Sequence, residues 1–186
     1  MGDFDAGQAD VCDDCLIDPP PWNWGRAALI YKGETRKLIL AFKHGDRQEI
    51  AIPAGYWMAQ RITSLVDPDT VLCPIPLHWR RKLSRRYNQA ELLAREVGRN
   101  LNLGVRTDLL SRPRHTIPLE HASYEERHDR LANAFEVKVS APPRSVVLVD
   151  DVMTSGATLR AAAQCLSNAG VTDVNIVVLA RVDRND

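Results

Sequence analysis

From Val146 to Val149 the chain runs Val-Val-Leu-Val without a polar break, the pattern of a strand buried on both faces in a parallel sheet. The run stops at Asp150 and Asp151. Small and hydroxylated residues follow, and then Leu159, Ala162, Ala163 and Leu166 at helical spacing. Val71 to Pro76 reads as a second buried strand, with prolines tolerated only near a strand end or on an edge. Ala27 to Tyr31, Val174 to Ala180 and a short stretch at Asn133 to Val137 complete the strands. Three more helices are predicted. One runs from Thr35 to Phe42 with Leu38, Ile39 and Phe42 on one face, and ends at Gly45 as a left-handed C-cap. Another opens near Pro53, turns Trp57, Met58, Ile62 and Leu65 to the core, and closes at Asp67-Pro68. The third has Asn88 as N-cap and Glu91 three residues into a capping box, then Ala90, Leu93, Ala94, Val97 and Leu101. Together these elements make a doubly wound, mostly parallel α/β sheet.

The loop after Asp151 carries the candidate chemistry. The carboxyl end of a strand is where open α/β sheets bind ligands. Val152, Met153, Thr154, Ser155, Gly156, Ala157 and Thr158 lead from it into a helix N-terminus. There backbone N–H groups, the helix dipole and three hydroxyls form an anion cradle. A terminal phosphate suits the cradle, and two carboxylates one turn away suit the vicinal hydroxyls of a sugar. A ribose 5-phosphate satisfies both. The string is neither a Walker A loop nor a dinucleotide fingerprint, since it has no Gly-Lys-Ser/Thr and no Gly-x-Gly-x-x-Gly.

Length and charge narrow the picture. The chain has 186 residues and no formal net charge, enough for one domain with a small appendage. Residues 1 to 18 hold six aspartates and no base, whereas residues 80 to 114 hold ten bases against three acids. A basic segment in a neutral protein points to a polyanion there, pyrophosphate or nucleic acid, or to a solvated helix face. No apolar run reaches membrane-spanning length and the start is acidic, so a cytoplasmic protein without a membrane partner is expected. Cys12 and Cys15 form a lone CxxC pair. Structural zinc takes four ligands, so a complete intramolecular Zn²⁺ site is not expected. The pair either shares zinc between two chains, as a homodimer would, or stays as reduced thiols.

Val-Val-Leu-Val-Asp-Asp-Val-Met-Thr-Ser-Gly-Ala-Thr resembles the phosphoribosyl pyrophosphate signature of type I phosphoribosyltransferases. Cys73-Pro-Ile-Pro-Leu-His-Trp-Arg-Arg and Arg86-Tyr-Asn-Gln-Ala-Glu-Leu-Leu-Ala narrow the resemblance to the ComF (GntX-like) competence-protein family, from about Cys12 to Val182. The resemblance implies a phosphoribosyltransferase-like domain over residues 26–186, after an acidic tail with a remnant zinc-ribbon CxxC and a proline linker over residues 1–25. It implies phosphoribosyl pyrophosphate and Mg²⁺ as ligands, with Asp150 and Asp151 on the ribose hydroxyls and near the metal. Residues Thr154 to Thr158 would hold the 5-phosphate. Arg80, Arg81 and Lys82 would hold pyrophosphate, with Asp150, Asp151 and Arg81 as the catalytic residues. Lys43 either reaches the pyrophosphate or is a plain helix C-terminal cation. Residues 111–130 read as a lid, in which Thr116 and Arg127 match the family while Leu119 and Arg130 replace its Gln and Asn. The other reading open to a ComF-like chain is a DNA-uptake factor that binds single-stranded DNA or a helicase without turnover, with Trp79 and Tyr87 stacking on bases.

Overall fold

The computed structural model describes residues 16–45, 47–77, 87–112 and 134–182. Five strands form one parallel sheet: β1 (Gly25–Ile30), β2 (Val71–Pro74), β3 (Gly104–Val105), β6 (Ser145–Met153) and β7 (Asp173–Arg181). Their order is β1-β7-β6-β2-β3. Helices α1 (Gly33–His44), α2 (Ala51–Ile62) and α3 (Gln89–Leu101) cover one face, and α4 (Ala157–Asn168) covers the other. Alternation along β6 sends Val147 and Val149 into the first layer with Phe42, Met58 and Leu93. Val146 and Leu148 enter the second, with Leu159 and Leu166. The expected doubly wound α/β sheet is therefore present. After β2 the chain moves outward to β3, and after β6 it moves the other way to β7. β2 and β6 thus flank the topological switch point.

Several local expectations change. β6 runs past the two aspartates to Met153, because β7 is long enough to keep pairing with it as far as Met153 opposite Arg181. Gly45 is not left-handed (φ −95°). Its N–H donates to Ala41 O at 2.7 Å, and an added Cβ would stand 2.7 Å from that same oxygen, so close approach is what requires glycine. Met58 and Ile62 are buried, whereas Trp57 on α2 is 38% exposed and Leu65, in the turn after the helix ends at Ile62, is 36% exposed. The capping box is half formed. Asn88 Oδ1 accepts from Ala90 N, but Glu91 turns to Arg95, one helical turn on. β4 (Leu110–Ser111) and β5 (Glu136–Val137) pair antiparallel in a small second sheet, of which only β5 is foreshadowed in the hydrophobic pattern.

A polar network ties the amino ends of the strands. The Asp173 carboxylate accepts from Asn23 Nδ2 (2.6 Å), Ser145 Oγ (2.7 Å) and Asn175 Nδ2 (2.8 Å), and Ser145 in turn meets Thr70 Oγ1 at 3.2 Å. Burial alone would raise Asp173, but these donors and Arg144 outweigh it and hold the carboxyl below its ordinary value. Asp173→Ala is expected to cost about 1–3 kcal/mol at pH 7, read as a fall in melting temperature. A depressed folded pKa stabilises above the unfolded value of about 3.9 and loses that contribution as pH falls through the folded value. The gap between variant and wild type should therefore stay level from pH 7 to 5 and close only below about pH 4.

Candidate functional site

β2 leaves the sheet just where the acidic pair begins. Its last pairing sets Pro74 opposite Val149, followed by Ile75 N donating to Val149 O at 2.9 Å. β6 continues beside β7 alone, so Asp150 and Asp151 border the crevice at the switch point. The Asp150 carboxylate takes over part of the missing ladder and accepts from the Asp151 N–H at 2.8 Å. Strand alternation then turns Asp151 to the α1–α3 face and Asp150 to the α4 face.

Lys43, in the last turn of α1, places its Nζ 2.9 Å from Asp151 Oδ1, with the two side chains only 20% and 11% exposed. The α1 terminus is held by the start of α3. Tyr87 Oη donates to Phe42 O at 2.5 Å and Gln89 Nε2 donates to the same oxygen at 3.5 Å. Between them Asn88 Nδ2 donates to Ile75 O at 3.1 Å, which fastens α3 to the exit of β2. Asn88 is thus both a helix cap and a tie between α3 and β2.

Burial pushes Asp150 up to about 7, and the neighbouring Asp151 carboxylate adds to the rise; the Asp151 N–H, Lys43 and Arg112 oppose it. Arg112 is a contributor that sequence reasoning missed. Its guanidinium lies 5.3 Å from the centre of the Phe135 ring, bringing positive charge to the face toward which Asp150 points. In sequence it was one of ten bases in a charged stretch, with no spacing to single it out.

The cradle stands beside these carboxylates. Gly156 has φ +77°, the left-handed region that favours glycine, and precedes the first residue of α4. Ser155 Oγ accepts from Ala157 N at 3.4 Å. Thr154 and Ser155 are exposed, and Thr158 is half-buried. The N–H groups of the first helical turn lack intrahelical acceptors, so they and the dipole favour an anion. The proline linker braces this corner. Arg160 of α4 donates to Asp18 O (2.7 Å) and Pro19 O (3.2 Å), and its guanidinium lies 5.7 Å from the centre of the Trp22 ring.

Of the residues singled out from sequence, Lys43, Asp150, Asp151 and Val152 to Thr158 therefore meet at one end of the sheet. Arg80, Arg81, Lys82 and Trp79 lie outside the described residues, as do Thr116, Leu119, Arg127, Arg130, Cys12 and Cys15. A surface cavity of about 450 Å³ lined by Arg95, Arg99 and Asn102 opens at the other end, where Gly104 of β3 pairs with Val71 of β2. Mg²⁺ takes one or two carboxylates together with phosphate oxygens and water, and Asp150 and Asp151 are the carboxylates available here; among the described residues no group of three or more His, Cys, Asp or Glu could hold a metal ion. No helix among the described residues is long and apolar enough to cross a membrane.

A family model for a phosphoribosyl transferase domain matches residues 120–186. The chain is 32% identical to the DNA utilization protein YhgH of Escherichia coli O157:H7, over 91% of this chain and 77% of the relative. It is 32% identical to competence protein F of Haemophilus influenzae, over 93% and 79%. With competence protein ComFC of Bacillus subtilis it shares 31% identity, over 86% and 67%.

Proposed function

Because the chain belongs to the ComF competence and DNA-utilization family and carries a phosphoribosyl transferase domain, we propose that it binds phosphoribosyl pyrophosphate with Mg²⁺ and transfers the ribosyl phosphate to a nucleophile. The observation that carries this reading is the meeting, at the switch point, of an acidic pair near the carboxyl end of β6 and the glycine-turned helix N-terminus that follows it. Asp150 and Asp151 accept from the two ribose hydroxyls, which fixes the sugar. The turn from Thr154 to Thr158 holds the 5-phosphate. Lys43, with Arg80, Arg81 and Lys82 as the resemblance implies, receives the diphosphate. In the reaction the bond from C1 to the diphosphate oxygen breaks and a bond from C1 to the nucleophile forms. Charge builds on the leaving diphosphate, and cations held against it stabilise it. Mg²⁺, when bound, adds positive charge at the same oxygens.

The test is calorimetric titration of phosphoribosyl pyrophosphate with Mg²⁺ into wild type and an Asp150→Asn/Asp151→Asn variant. Wild type should bind, and the variant should lose on the order of a hundredfold in affinity or more. A folded wild type that binds nothing would sink the reading. The relatives' names speak of DNA utilization and competence, and the second reading is a DNA-uptake factor that binds single strands. One of its residues is already committed elsewhere, since the Tyr87 ring packs on Phe42 (centroids 6.1 Å apart) and its hydroxyl is spent on Phe42 O. Salt-dependent binding of an oligonucleotide, kept by the acidic-pair variant and lost on Arg85→Ala/Arg86→Ala, would move that reading to the front.

A further inference from the structure

Phe42 O belongs to the last turn of α1, where carbonyls run out of helical donors. Two side-chain donors at the start of α3 take it, Tyr87 Oη just before the N-cap at 2.5 Å and Gln89 Nε2 in the first turn at 3.5 Å. The following residue is Lys43, whose ammonium stands 2.9 Å from Asp151. We infer that Tyr87 and Gln89 are positioning residues for Lys43: by holding the carbonyl of Phe42 they fix the end of α1 so that this flexible side chain meets Asp151.

The inference deepens the proposed function and rests on it only for the role of Lys43 toward diphosphate. Gln89 is 1% exposed and Tyr87 is half-buried against Phe42, so both face into the protein. Lysine has four rotatable side-chain bonds and reaches a small target reproducibly only when its backbone is fixed. Asn88 supplies the fixed point for the clamp. Its side chain caps α3 through Ala90 N and donates to Ile75 O, so the frame that holds Phe42 is itself attached to the exit of β2. The Tyr-Asn-Gln string thereby acquires a physical task, to set the distance between the α1 terminus and the acidic pair.

Two measurements on Tyr87→Phe decide the matter, since that change keeps the ring packing and removes only the hydroxyl. The first is the rate at which an amine-acetylating reagent modifies each lysine, read by mass spectrometry. Lys43 should react about three- to tenfold faster than in wild type, the scale of one lost hydrogen bond, while the exposed Lys37 is unchanged. Equal rates at Lys43 would overturn the inference whatever the ligand proves to be. The second is a cycle of phosphoribosyl pyrophosphate affinities with Tyr87→Phe, Lys43→Met and both. Positioning predicts that Tyr87→Phe weakens binding about three- to tenfold and adds nothing to Lys43→Met. Additive losses would make Tyr87 an independent contributor and overturn the inference. If wild type binds no phosphoribosyl pyrophosphate, the proposed function fails while the labelling result still decides the role of Tyr87. Should Tyr87→Phe melt early, Gln89→Met tests the same carbonyl and must show the same faster labelling of Lys43.

Discussion

Asp150→Asn should melt higher than wild type at pH 8 and at nearly the same temperature at pH 4. The carboxyl is pushed up to about 7 by burial first and by Asp151 second, against about 3.9 in an unfolded chain. Between those two values the folded protein keeps a proton that the unfolded chain has released. Stability therefore falls as pH rises through this window, and the loss is complete above about pH 7. The gap between those two values would set a ceiling of about 4 kcal/mol, which water at this half-buried position reduces to about 1–3 kcal/mol. The asparagine removes that cost and can still accept from the Asp151 N–H, the bond now made at 2.8 Å. Thermal unfolding at the two pH values should show a gain of about 3–9 °C at pH 8 only. A gain of the same size at both values would mean that Asp150 ionises as an ordinary aspartate. Titrated in parallel, the stabilised variant should bind phosphoribosyl pyrophosphate less well. The carboxylate would then be retained for ligand at the expense of the unliganded fold.

The second large effect has the opposite sign. Where α2 crosses α3, a Cβ built on Gly55 would stand 2.2 Å from Glu96 Cβ and 3.1 and 3.2 Å from its backbone carbon and Cα. Backbone cannot swing aside as the end of a long side chain can, so Gly55→Ala must push the two helices apart. Overpacking of this kind costs about 1–3 kcal/mol and sometimes more. A drop of about 4–10 °C in the melting midpoint is the expected result, and a variant melting within a degree of wild type would show slack at the crossing. Because α3 begins at the Tyr87 to Gln89 clamp, Lys43 should also label faster in this variant.

Much of this fold is legible in the order of residues because its informative features are local. The Val146–Val149 run, the two aspartates and the glycine-centred turn lie within one short stretch, so strand, ligand end and helix start can be read together. The same holds for the cap at Asn88. What escapes is set by partners distant in the chain. β6 extends to Met153 because β7 is there to pair with it, Trp57 stays on the surface because α2 shows the sheet only one side, and Leu65 falls past the end of that helix. The contact between Lys43 and Asp151, like the hold of Tyr87 on Phe42, joins residues that no spacing rule relates. Gly45 illustrates the limit even for local signals, since both a left-handed cap and a close carbonyl call for glycine, and the second is the one that operates.

Asp173 and its donors sit at the amino ends of β6 and β7, and the acidic pair lies five and six residues beyond Ser145 along β6. Changes accumulating around Asn23, Thr70, Ser145 and Asn175 can shift how tightly the sheet is held without altering the shape of the crevice. A lineage could therefore adapt to a new temperature at one end of the sheet while the crevice at the other changes separately. Divergent members of the family would then vary independently at the two ends.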